Sequence, residues 1–116
     1  MGFRLHSERI TAPGATPAHW LLVLHGVFGS GANWRLYMRA LAREVPEIGF
    51  VLVDLRAHAG SAFGAPPPHG IAAMAHDLLA FEGIDGVIGH SLGGKVALAY
   101  AALRNDVLDQ VWVLDT

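Results

Sequence analysis

The sequence contains no cysteine. That absence excludes a disulfide framework, a thiolate nucleophile and any cysteine metal site. Charge is scarce as well: 16% of the 116 residues are Asp, Glu, Lys or Arg, and the formal net charge is −2. Such a balance argues against nucleic acid or an anionic membrane as the main partner. No apolar run has the length of a membrane span, since Lys95 and Arg104 bracket the longest one. The first ten residues carry Arg4, His6, Glu8 and Arg9, unlike a signal peptide. His6 also stands where a myristoylation signal after Gly2 needs Ser or Thr. The expectation is a cytoplasmic chain without a membrane or nucleic-acid partner. Internal repeats and low-complexity tracts are absent too.

What is present is apolar mass. Hydrophobic residues make up 53% of the chain, with three Trp and five Phe, enough for the core of one globular domain. Around Phe3 to Ile10, apolar and polar residues alternate at first, which predicts an edge strand with one wet face. Thr11 to Pro17 is a turn. Trp20-Leu21-Leu22-Val23-Leu24 and Phe50-Val51-Leu52-Val53 are continuous apolar runs, the pattern of strands buried on both faces. Between them a helix capped by Ser30 or Asn33 runs to about Arg43, with Trp34, Tyr37, Met38 and Leu41 on one face. Ala62 to Gly70, with three consecutive prolines, is a loop. Ile71 to Phe81 fits a helix with Met74, Leu78 and Phe81 on one face. Leu92 to Leu103 is apolar nearly all round and predicts a buried helix, and Gln110 to Leu114 a last buried strand. Strands alternating with helices predict an α/β fold, a mostly parallel sheet with helices on both faces.

The chemistry concentrates in Gly89-His90-Ser91-Leu92-Gly93, a complete G-x-S-x-G between the β-branched Val87-Ile88 and a small-residue helix. On such a strand-to-helix turn the serine takes a strained backbone conformation that lifts its hydroxyl above the sheet edge. The flanking glycines let strand and helix approach without Cβ clashes. The Leu92 N–H then lies at a helix N-terminus, where developing negative charge is stabilised. The plain alternative for the same residues is a helix with Ser91 as its N-cap.

Two further segments follow buried strands. In His25-Gly26-Val27-Phe28-Gly29-Ser30-Gly31 the glycines turn backbone N–H groups toward a ligand, and the Val27 N–H is the natural second donor of an oxyanion hole beside Leu92. Asp54-Leu55-Arg56-Ala57-His58-Ala59-Gly60-Ser61 sits at a strand's C-terminal end, where parallel sheets place their sites. Asp54 and Arg56 read as a loop-bracing ion pair and hydrogen-bond set.

These three segments resemble the oxyanion loop, the D-x-R-x-H-G-x-S segment and the nucleophile elbow of the α/β-hydrolase superfamily. Their order and spacing, with the closing Val111-Trp112-Val113-Leu114-Asp115, are most similar to small serine esterases of the abhydrolase-domain-containing or YbfF-like kind. The resemblance implies a hydrolase of carboxylic esters or thioesters. Ser91 is its nucleophile, and the Val27 and Leu92 N–H groups are its oxyanion donors. It covers only the family's N-terminal half, so residues 1–116 read as the N-terminal portion of a single domain. The acid and the catalytic histidine would follow later, in the order Ser…Asp/Glu…His. Ala59 departs from the family's usual glycine.

Seven histidines are scattered along the chain. His90 is adjacent to Ser91 on a tight turn and points away from it, and His25 supports its own loop by hydrogen-bonding backbone. His58 is the one candidate for a substitute base, and Asp115, ending the last strand, for a substitute acid. His6, His19, His69 and His76 read as surface or loop residues. No i, i+4 pair or metal-ligand spacing occurs, so neither a metal nor another cofactor is expected. The partner is a small-molecule ester. The 110–114 strand, with nothing after it to cover it, is an open edge for a second copy or a complementing chain. The rival readings are a non-catalytic half-domain and an acyltransferase or perhydrolase on the same scaffold.

Overall fold

In the computed structural model, which describes residues 4–26, 29–61, 65, 67–104 and 108–114, strands and helices alternate along the chain. The strands are β1 (Ser7–Ile10), β2 (His19–Leu24), β3 (Ile48–Val53), β4 (Gly86–His90) and β5 (Gln110–Leu114). The α-helices are α1 (Arg35–Glu44), α2 (Ile71–Asp77) and α3 (Leu92–Leu103). Short 3₁₀ turns lie at Gly31–Trp34, Ala59–Ser61 and Leu78–Ala80. The strands form one sheet in the order β1-β3-β2-β4-β5. Only β1 runs antiparallel, pairing Ser7 with Val53 and Ile10 with Phe50.

Period-two alternation explains why the apolar runs are continuous. In β2, Leu22 and Leu24 face α2 and α3 in a core with Val87, Val96, Ala97 and Tyr100. Leu21 and Val23 face α1, in a core with Met38, Ala42, Phe50 and Ile88. A strand clothed on both faces has no wet positions, so it shows no polar alternation.

Boundaries moved where local geometry outweighed pattern. The helix expected from Ser30 or Asn33 begins as a 3₁₀ turn, with the Ser30 N–H donating to Asn33 Oδ1 at 2.8 Å. The α-helix proper starts only at Arg35. Of its expected apolar face Met38 is buried, whereas Tyr37 is exposed. The Ile71–Phe81 helix closes earlier: α2 ends at Asp77 and tightens into a 3₁₀ turn, although Met74 and Leu78 pack into the core as expected.

Two expectations fail. The Leu92–Leu103 helix is not buried all round: Gly93, Gly94, Val96, Ala97 and Tyr100 face the sheet, but Leu98 is 54% exposed. The 110–114 strand is not buried either, and Trp112 is 53% exposed. Both sequences are apolar enough for an interior. However, β5 is the edge of the sheet, and the described residues cover neither element's outer side. Among the described residues, no helix is long and apolar enough to cross a membrane.

Candidate active site

The C-terminal ends of β2, β3 and β4 bring the three motif segments together, since these strands are neighbours and parallel. Ser91 stands between β4 and α3 with φ 55° and ψ −115°. A serine serving as an ordinary N-cap is extended and bonds the helix through its oxygen. Ser91 is not extended and makes no side-chain capping bond. Holding a non-glycine residue there costs on the order of 1–3 kcal/mol, which the surrounding structure must impose.

The imposition is visible. The Ser91 N–H donates to Leu114 O at 2.9 Å, and Ser91 O accepts from Gly94 N–H at 2.9 Å. A Cβ on Gly89 would fall on the Gly93 carbonyl, 2.7 Å from Gly94 N. One on Gly93 would fall on the Leu24 carbonyl, 2.7 Å from His25 O. Only hydrogen fits at either position, so the two glycines of the motif let β4, α3 and β2 close around the turn. Leu92 is the first residue of α3, and an N–H at that position has no acceptor within the helix. Val27, its expected companion, lies outside the described residues, as does Asp115.

The glycine loop after β2 lies against Ser91: a Cβ on Gly26 would sit 3.4 Å from Ser91 Cβ and 3.5 Å from His90 Nδ1. His25 anchors this loop from beneath. It is buried, and its Nε2 accepts the Leu55 N–H at 2.9 Å. That bond requires a lone pair on Nε2, so Nδ1 carries the proton and donates it to Gly26 O at 2.7 Å. Burial pushes the His25 pKa below its ordinary value, and the nearby His58 adds to this, while the Gly26 bond and Asp54 oppose it. The imidazole is therefore a neutral bridge between the loops that follow β2 and β3.

Asp54 and Arg56 brace the site but not as a pair with each other. Asp54 is buried and accepts from Gly31 N–H at 2.7 Å, Gly60 N–H at 3.0 Å and His6 Nδ1 at 2.8 Å. Arg56 grips Asp77 of α2 with two bonds of 2.6 and 2.7 Å and donates to Pro68 O at 3.0 Å. The Asp77 bonds raise the guanidinium's pKa, against the effect of burial. His6 and Asp77 carried no sequence signal. Their roles depend on the antiparallel return of β1 and on how α2 packs.

His58 is turned to other partners. Its Nδ1 bonds Arg56 O at 2.9 Å, and its ring lies 5.0 Å from that of His25. It lines a cleft of about 380 Å³ with Ser30, Asn33 and Ala59, and this cleft includes neither Ser91 nor His90. His90 opens instead into a cleft of about 440 Å³ with Gly26, Asn33, Trp34 and Tyr37, its ring 5.9 Å from that of Trp34. Ala59 takes φ 41° and Ala57 φ 64°, left-handed conformations that suit glycine.

The family model described as alpha/beta hydrolase fold matches residues 19–116. Lipase LipV of Mycobacterium tuberculosis is 38% identical over 116 residues, covering 96% of this chain and 41% of that protein. Esterase YbfF of Escherichia coli is 37% identical over 101 residues, covering 82% of this chain and 37% of its own length. Among solved structures, a marine microorganism esterase superposes with a TM-score of 0.80 at 27% identity, over 97% of this chain and 41% of that one. The chain spans about two fifths of the length of the curated relatives it matches.

Proposed function

Because this chain belongs to the alpha/beta hydrolase fold family, we propose that it carries the nucleophile of a serine hydrolase acting on small carboxylic esters or thioesters. The observation that carries the reading is the positive φ of Ser91 between β4 and α3, which a capping serine does not adopt. Relatives named lipase and esterase support the substrate class.

In this reading the Ser91 hydroxyl attacks the acyl carbon, and the tetrahedral oxyanion is held by the Leu92 and Val27 N–H groups. The alcohol or thiol departs with a proton, and water then releases the acid from the acyl-enzyme. The base and acid belong to polypeptide other than these 116 residues, which form the N-terminal portion of the domain. Relatives more than twice as long support that division. The attachment of His58 to Arg56 and His25 leaves a second reading, a half-domain that keeps the elbow without the triad. The exposed β5 edge takes a second copy or a complementing chain.

Two measurements test the proposal. A fluorophosphonate probe should modify Ser91 only when the polypeptide that supplies the base is present, and should leave Ser91→Ala unmodified. Turnover of p-nitrophenyl acetate should be slow, with only about 10³–10⁴-fold acceleration over water, the residue left when a triad is incomplete. Modification spread over other serines at the same rate would favour the half-domain. Fast turnover lost in both Ser91→Ala and His58→Ala would make His58 the base.

A further inference from the structure

The end of the sheet opposite Ser91 gathers a second set of chemical groups. His19 opens β2, Asp85 precedes the first residue of β4, and Asp109 precedes the first residue of β5. These strands are neighbours, with Leu21 opposite Gly86 and Gly86 opposite Gln110, so the three residues lie side by side at one edge. One imidazole nitrogen and one oxygen from each carboxylate all lie within 4.8 Å of one another. His19 Nδ1 and Asp85 Oδ2 are 3.7 Å apart. No local motif announces this cluster, because the residues are 66 and 24 positions apart along the chain.

We propose that His19, Asp85 and Asp109 bind one divalent transition-metal ion, with Zn²⁺ as the probe. Four observations support it. The donor set is mixed, and an imidazole with two carboxylates suits Zn²⁺ or Mn²⁺ better than the all-oxygen shells of Ca²⁺ and Mg²⁺. Two carboxylates meet here, and among the described residues no Lys or Arg pairs with either aspartate. The backbone is fixed, since Trp20 N–H donates to Asp85 Oδ2 at 3.0 Å and Asp109 N–H to Asp85 O at 2.7 Å. The required movement is small. Ligand atoms around a tetrahedral zinc lie roughly 3.4 Å apart, so one rotation of an exposed aspartate closes the set. The ion would tie β2 and β4 to the edge strand β5, and it does not depend on the role of Ser91.

The test uses the full chain stripped of metal with a chelator. Calorimetric titration with ZnCl₂ should show one ion per chain. At about a hundredfold excess over Kd, the melting temperature should rise by on the order of 10 °C. Asp109→Asn should weaken binding about tenfold or more, and His19→Ala combined with Asp109→Asn should abolish it, both with an unchanged circular dichroism spectrum. The other six histidines make the double variant essential. Zinc binding retained in that variant, no saturation below about 1 mM, or an equal rise in melting temperature with Mg²⁺ would overturn the proposal.

Discussion

His25 shows how one side chain fixes two loops. Its two ring nitrogens do opposite work, one accepting from Leu55 and the other donating to Gly26, and protonation destroys the first bond. Because the folded pKa lies below the ordinary 6.5, the unfolded chain takes up the proton first. The stability contributed by neutral His25 is therefore complete above 6.5 and is lost as the pH falls through that value toward the folded pKa. Nitrogen-detected NMR should find the Nδ1–H tautomer at pH 7 and a titration below 6.5, and a His25 signal titrating above 6.5 contradicts the geometry. At Ala59 the expected change is a gain. A left-handed non-glycine residue costs roughly 1–2 kcal/mol, and glycine returns about 0.4–1 kcal/mol of that through unfolded-state entropy. Ala59→Gly should thus raise stability by about 0.5–1 kcal/mol in denaturant titration.

Among the elements, β2 and β5 read alike but lie in different surroundings. Leu21 to Leu24 form a buried run because helices cover both faces of β2. Val111 to Leu114 form an equally apolar run that is between 37% and 53% exposed. Composition records what a face requires, not whether a neighbour supplies it, so the element was legible and its burial was not. The elbow was legible for the opposite reason: G-x-S-x-G encodes a local steric requirement that no distant partner alters. Its consequence is sharp. Gly89→Ala places a methyl on the Gly93 carbonyl, where backbone cannot give way. It should destabilise the protein by about 3 kcal/mol or more, beyond the usual range for overpacking a core. Near-normal unfolding of this variant would refute the close packing of β4 against α3. Asp54 was legible as a brace, but its partners His6, Gly31 and Gly60 were not, because long-range returns of the chain bring them to it.

At the scale of the whole molecule, the two edges of the described sheet differ in character. On the β1 side, Glu8 carries ion pairs to Arg35 and Arg39 of α1, which suits a solvated edge. On the other side β5 exposes Val111, Trp112, Val113 and Leu114. Beside it an apolar groove of about 420 Å³ is lined by Trp34, Tyr37, Met38, Ile88 and Trp112. Covering the remaining area of each β5 side chain is worth roughly 1 kcal/mol, several kcal/mol along the strand. Light scattering should therefore find the isolated chain as a dimer or larger, and Trp112→Lys should shift it to monomer. A wild-type monomer at micromolar concentration would refute the association.

The bond from the Ser91 N–H to Leu114 O links this edge to the strained turn between β4 and α3. The amide of Ser91 is registered on the last residue of the exposed edge strand. Whatever steadies β5 thereby steadies the serine, and linkage makes the effect mutual. If Ser91 is the nucleophile as proposed, a ligand held at Ser91 and a partner bound along β5 should each tighten the other's equilibrium binding by the same factor.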